Sequence, residues 1–267
     1  MVDRIRVEPG HKPKIADRNP RDTLGLGDKE HAKEKLAELQ VKLEDLHQRL
    51  FAEARRGLLL VLQGLDASGK DGVVRAVMHG VNPQGCRVVS FRAPSSTEQA
   101  HDYLWRIHQA LPVRGELAIF NRSHYEDVVA VRMLELQPQE VWSRRPGHIN
   151  EFERMLTDEG TTIVKVFLNV SRDEQRRRFQ ERLDDPMKRW KFRTADLDVR
   201  KRFDDYITAW EETIADTSTV WAPWHVVPAD RNWVKATAVA TILVHTLEKM
   251  DPQLPDPEPG IEGLTIE

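Results

Sequence analysis

The stretch Gly64-Leu65-Asp66-Ala67-Ser68-Gly69-Lys70-Asp71-Gly72 follows directly on the aliphatic run Leu58–Gln63, and no other feature limits the fold as tightly. Two glycines with four residues between them, the second followed by lysine, have the spacing of a loop that wraps phosphate. Glycine lets the backbone curl so that successive N–H groups point at phosphate oxygens, and the next helix presents its positive N-terminal end. Gly64, Ala67, Ser68, Gly69, Asp71 and Gly72 are therefore expected to bind phosphate, with Lys70 adding a point charge among the oxygens. Asp71 stands where a Ser or Thr hydroxyl usually holds magnesium, and Asp66 puts an extra carboxylate inside the loop. A carboxylate among inward-facing amides repels phosphate unless a cation lies between, so Asp66 is read as a ligand of Mg2+.

A phosphate loop of this kind needs a strand before it and a helix after it. Five short apolar runs supply strands: Leu58–Gln63, Cys86–Phe91, Glu116–Phe120, Thr162–Asn169 and Trp224–Val227. The connections between them have helix length, which predicts an α/β fold with a parallel sheet of about five strands and helices on both faces. Residues 1–27, rich in Pro, Gly and charge, read as an extended N-terminal arm; 28–250 form a single domain; and 251–267 form a Pro-rich tail. A helix starts at Asp28, with Leu36, Leu39, Leu43, Leu46 and Leu50 on one stripe that suits packing on its own domain or, alternatively, between subunits. A last amphipathic helix spans roughly Trp233 to Met250. One cysteine, Cys86, excludes an intramolecular disulfide framework. With no apolar run near membrane length and no signal-peptide core, the protein is expected in the cytoplasm.

The net charge of −3 argues against a protein that coats nucleic acid. Locally the balance reverses: Arg172–Arg202 holds twelve basic against seven acidic residues. This helical stretch, about 172–202, reads as a lid that closes over phosphates and excludes water, with Arg178 and Arg182 four apart on one face and Lys188 beyond them. A third signal is Leu117-Ala118-Ile119-Phe120-Asn121-Arg122-Ser123-His124-Tyr125-Glu126-Asp127, an apolar strand whose polar end falls at the carboxyl edge of the sheet, where such folds bind ligands. Asn121 occupies the strand end usually held by a metal-binding Asp, and Arg122 beside it can fork onto a phosphate. Asn121, and Glu126 and Arg132 on the inferred helix that follows, are the candidates for holding a nucleotide.

Together these segments resemble the type-2 polyphosphate kinases. The resemblance is carried by the loop with Asp66 and Asp71, by Asn82-Pro83-Gln84-Gly85, and by Phe120-Asn121-Arg122-Ser123-His124-Tyr125-Glu126-Asp127. It continues in Glu181-Arg182-Leu183-Asp184-Asp185-Pro186 with Lys188, Trp190 and Lys191, and in Ala222-Pro223-Trp224-His225 with Pro228-Ala229-Asp230, so that it runs from about Gly27 to Glu248. It implies a P-loop, thymidylate-kinase-like fold, magnesium, and inorganic polyphosphate as phosphoryl donor to a nucleotide. Asn121 and Glu126, where most members carry Asp and Asn, are similar to the subgroup that phosphorylates both AMP and ADP, giving ADP and ATP. A homo-oligomer, dimer or tetramer, is expected from the resemblance and the leucine stripe. In this reading Asp66, Lys70, Arg122 and Arg182 serve catalysis. The rival readings are an ATP-dependent nucleotide or small-molecule kinase on the same fold, and a non-catalytic module that binds nucleotide or polyphosphate.

Overall fold

A computed structural model describes residues 1–261 and 263–266. Five strands, β1 (Gly57–Gln63), β2 (Cys86–Ser90), β3 (Leu117–Asn121), β4 (Thr161–Asn169) and β5 (Trp224–Pro228), each lie within a residue of the apolar runs in the sequence. They form one parallel sheet in the order β2-β3-β1-β4-β5. The helices in chain order are α1 (Val2–Ile5), α2 (Lys29–Glu53), α3 (Lys70–Val77), α4 (Ser96–Gln99), α5 (Trp105–Gln109) and α6 (Glu126–Met133). They continue with α7 (Gln139–Trp142), α8 (Arg145–Asp158), α9 (Arg172–Asp184), α10 (Ala195–Lys201), α11 (Phe203–Thr217) and α12 (Asn232–Met250).

β1 lies at the centre and is buried along its whole length, which is why its sequence is an unbroken aliphatic run rather than an alternating one. α2, α3 and α12 pack together on one side of the sheet, and α6, α8 and α11 on the other. Leu39, Leu43 and Leu50 of the stripe are buried where α2 lies against α12. Leu36 and Leu46 pack partly buried against the same core, so the stripe serves packing on its own domain. The Asp28 carboxylate caps this helix by accepting from the His31 N–H at 2.9 Å.

The arm 1–27 carries two single helical turns, Val2–Ile5 and Ile15–Asp17, and follows the outer edge of β5. The Val7 N–H donates to the Trp224 carbonyl at 2.8 Å, and Ile5, Val7 and Ile15 are buried. The free edge of a parallel sheet is thereby closed by main-chain pairing and apolar contact together. The tail after Met250 has neither helix nor strand among its described residues. No helix among the described residues is long and apolar enough to cross a membrane.

β1 has β3 on one side and β4 on the other, so the chain reverses its direction of winding between β1 and β3. The register Leu62↔Asn121 brings the loop after β1 and the polar motif after β3 to the same edge, opening a crevice at the carboxyl ends of the strands.

Candidate active site

The loop from Gly64 to Lys70 leads straight into α3. Gly64 (φ +145°) and Gly69 (φ +97°) lie in backbone regions that L side chains rarely adopt, and both are crowded as well. A methyl group on Gly64 would sit 2.8 Å from the Leu168 carbonyl oxygen, and one on Gly69 would collide with Lys235 Nζ. Ala67 also has positive φ (63°), a strained residue at the tip of the turn. The Lys70 ammonium folds back over the loop and donates to the Gly64 carbonyl at 2.6 Å. Burial, with Arg122 adding to it, pulls Lys70 down to about 8, while Asp66 and Glu126 oppose the shift.

Arg122 sits across the crevice from the loop at φ +64°. Its guanidinium donates to Asp66 Oδ1 and lies 3.5 Å from Glu126 Oε2, so one cation lies between two carboxylates. Burial works against its charge, but Glu126 and Asp66 hold its pKa above the usual value. Glu126 goes the other way: burial pushes its carboxyl up against the pull of Arg122 and Lys70. The Gln63 side chain joins the two strand ends, donating to Glu126 Oε1 and accepting from the Ser123 N–H, both at 3.0 Å.

The carboxylate of Asp71, in the first turn of α3, turns away from the loop toward the lid. It accepts from Asn121 Nδ2 at 3.0 Å and from Lys191 Nζ at 3.2 Å, and these two bonds outweigh burial and hold its pKa low. The neutral amide at the end of β3 is what allows this contact, since an Asp there would face Asp71 as a like charge. Lys191 belongs to the single helical turn Arg189–Lys191 between α9 and α10, so the lid meets the loop helix at this point.

Not every expected residue gathers here. Arg182 is half-buried, stacked over the Phe179 ring at 5.4 Å, and its charge reaches the site through Asp196 of α10. Lys188 is exposed and pairs with Asp185 at 2.9 Å. Arg132, in the last turn of α6, pairs with Glu212 of α11 at 2.5 Å and lies 5.0 Å over the Trp142 ring, at the far end of its helix from Glu126. Its guanidinium lines a separate open cavity of about 540 Å³ with Leu136, Pro138 and Trp142.

The structure also adds residues. Arg178 of α9 donates to the carbonyls of Ala67 and Ser68, each at 2.9 Å, and to those of Ala229 and Asp230 at 2.7 and 2.8 Å. Lys235 of α12 donates to the Ser68 carbonyl at 2.8 Å. The available signal for Lys235 was a lone charge inside the apolar run of α12. For Arg178 the signal was its place four residues before Arg182 on one face of the basic lid helix, which does not reveal the carbonyls it meets.

Among the described residues, no group of three or more His, Cys, Asp or Glu forms a metal cage complete in itself. The charge of Asp66 acts on both Glu126 and Asp196 and raises their pKa values alongside burial. One or two carboxylates beside a phosphate cradle, completed by phosphate oxygens and water, is the donor set that suits magnesium, and Asp66 fits it.

Comparisons with known proteins find relatives over most or all of the chain. The family model described as polyphosphate kinase 2 matches residues 26–255. The chain is 53% identical, over the full length of both, to an AMP/ADP-polyphosphate phosphotransferase of Meiothermus ruber. It is 44% identical to an ADP-polyphosphate phosphotransferase of Rhodopseudomonas palustris, over 87% of this chain and 84% of that one. Among solved structures, polyphosphate kinase 2 from Arthrobacter aurescens TC1 superposes with a TM-score of 0.92 at 41% identity, over 96% of this chain and 92% of that chain.

Proposed function

The chain belongs to the polyphosphate kinase 2 family, and from that premise we propose that its crevice carries a phosphoryl group from inorganic polyphosphate to AMP and to ADP. It is a phosphotransferase, and its adenine nucleotides and polyphosphate meet at the carboxyl edge of the sheet. The observation that carries the mechanism is the alternation of charge in the crevice: Lys70, Asp66, Arg122 and Glu126 in succession around a phosphate loop.

The acceptor is a terminal phosphate oxygen, already anionic near neutral pH, so the reaction needs no strong base. Its obstacle is the approach of two polyanions in line while charge spreads over the transferring group. Main-chain N–H groups of the loop and Lys70 hold phosphate on one side. Arg122, kept charged by its two carboxylate neighbours, neutralises the transferring group from the other side, and Arg182 approaches from the lid. Glu126 orients the acceptor. Asp66 would hold magnesium, which when bound neutralises phosphate charge. Lys191 on Asp71 draws the lid onto the loop helix, and closure of that kind excludes water that would otherwise take the phosphoryl group. The subgroup reading rests on Asn121 and Glu126 and on the Meiothermus ruber relative named for both acceptors. An intracellular setting suits these substrates, and a dimer or tetramer rests on the resemblance alone.

The test is to incubate the purified protein with magnesium, long-chain polyphosphate and AMP, without ADP or ATP, and to follow nucleotides by chromatography. ADP and then ATP are expected. Conversion only when ADP is supplied would overturn the AMP reading, and conversion only with ATP as donor would overturn the polyphosphate reading.

A further inference from the structure

The phosphate loop is held from behind as well as from within. A peptide group carries its N–H and C=O on opposite sides, so a loop whose N–H groups must face phosphate has carbonyls facing the protein. Those carbonyls need donors where water is excluded. Here the donors are cations. Arg178 spreads its guanidinium over four carbonyls, Ala67 and Ser68 of the loop and Ala229 and Asp230 of the β5–α12 connection, while its Nε donates to Glu174 at 2.7 Å. Lys235 is 2% exposed and donates to the carbonyls of Ser68 and Ala229, at 2.8 and 3.4 Å, with no carboxylate within ion-pair distance among the described residues. The two side chains come from different elements, α9 and α12, and converge on the Ser68 carbonyl. Gly69 has no side chain partly because Lys235 occupies that space.

We propose that Arg178 and Lys235 are positioning residues of the phosphoryl-donor site, pulling the Ala67 and Ser68 carbonyls outward so that the loop amides face the polyphosphate. This rests on the reading of the loop as the place where polyphosphate binds. The donor is the partner that gains most, because the lid beyond Arg178 is rich in cations, Arg182, Arg189 and Arg193 among them, and polyphosphate is the more highly charged substrate. When charged, Lys235 adds to the loop's attraction for a polyanion in a setting that water screens little, while Arg178 shares its charge with Glu174. Burial pulls Lys235 down to about 7. Arg178 of α9 and Lys70 of α3 deepen that shift, while Glu174 of α9 and Asp230 before α12 oppose it. A polyanion in the loop favours the charged form, so its binding is linked to uptake of a proton by Lys235, and affinity falls as pH rises above about 7.

The experiment compares wild type, Lys235→Met and Arg178→Lys. It reads the KM for long-chain polyphosphate and for AMP, kcat, and the calorimetric Kd for polyphosphate alone between pH 6 and 8. Long-chain polyphosphate is the probe because its internal phosphates hold a constant charge over this range. Lys235→Met should raise the KM for polyphosphate about ten-fold, with kcat and the KM for AMP changed by less than about two-fold. It should also weaken the rise of Kd with pH that wild type shows, leaving the part that Lys70, at about 8, contributes toward the upper end of the range. Arg178→Lys keeps the charge but loses the fork, and should raise the same KM. Should Lys235→Met fail to fold, the pH dependence of Kd in wild type carries the test, and a Kd independent of pH there overturns the role of Lys235. Unchanged polyphosphate affinity in folded variants overturns the proposal while leaving the function standing. Wild type that neither binds nor uses polyphosphate overturns both.

Discussion

At the scale of single residues, the site works by placing charges where their cost is offset by the substrate. Lys70 is buried and shifted down to about 8, so it keeps its charge at neutral pH with little margin, and a bound phosphate restores that margin. Asp66 and Arg122 satisfy each other across the crevice. Replacing Lys70 or Asp66 by alanine should lower kcat by at least about 100-fold, since one well-placed charge is worth about 3 kcal/mol in electrostatic catalysis. The unfolding midpoint should stay near that of wild type, because neither side chain belongs to the apolar core. Turnover near wild type in either folded variant would remove that residue from the catalytic set.

At the scale of elements, the loop between β3 and α6 must be rigid, since it presents Arg122 and Glu126 from successive turns of the chain. The rigidity comes from beneath. Lys165 of β4, fully buried, donates to Tyr125 Oη at 2.9 Å, to Glu153 Oε2 of α8 at 2.6 Å and to the Thr217 carbonyl at 2.6 Å. Tyr125 donates to Glu153 Oε1 at 2.8 Å, and His124 reaches the same oxygen at 3.3 Å. Two adjacent residues of the loop are thus anchored to one carboxylate, which Lys165 and His124 hold as an anion in spite of burial. Lys165→Met leaves that carboxylate unpaired in the core and should cost about 3–5 kcal/mol in urea unfolding. Adding Glu153→Gln should recover most of the loss. A double variant no more stable than the single one would mean that the packing of the lysine stem, not the ion pair, holds this region.

At the scale of the whole molecule, the edge of the sheet is completed by the arm, and the two meet over a buried histidine. His225 of β5 forms a bridge with Arg6, lies against the Lys165 carbonyl at 3.2 Å, and is pulled down to about 4 by burial. His47 of α2 is shifted in the same direction, also by burial. At His225 an unfolded chain binds a proton below about 6.5, while the folded one resists until about 4. The contribution of His225 to stability is therefore complete above about pH 6.5 and is lost as the pH falls toward 4. From His225 alone, stability should drop by about 2 kcal/mol between pH 7 and pH 5. Urea unfolding at the two pH values measures this, and His225→Gln should reduce the difference. Equal stability at pH 7 and pH 5 in wild type would mean that His225 is not held neutral.

Local sequence determined a good deal of this. Strands buried on both faces must be continuous apolar runs, and the ends of β1 and β4 are readable because Gln63 and Asn169 close such runs. The phosphate loop is legible because its glycines answer a local backbone demand, and the start of α2 because Asp28 caps its own helix. The part played by Asn121 needed the fold, since its partner Asp71 lies fifty residues back and its meaning is the like charge it avoids. The same holds for Arg132, whose partner Glu212 arrives on a later helix, and for Arg178 and Lys235, which act on carbonyls that no sequence pattern marks. Residues that answer to their neighbours in the chain are written locally. Those that answer to a charge or a carbonyl brought in by another element are decided only when the sheet sets which strand ends lie side by side.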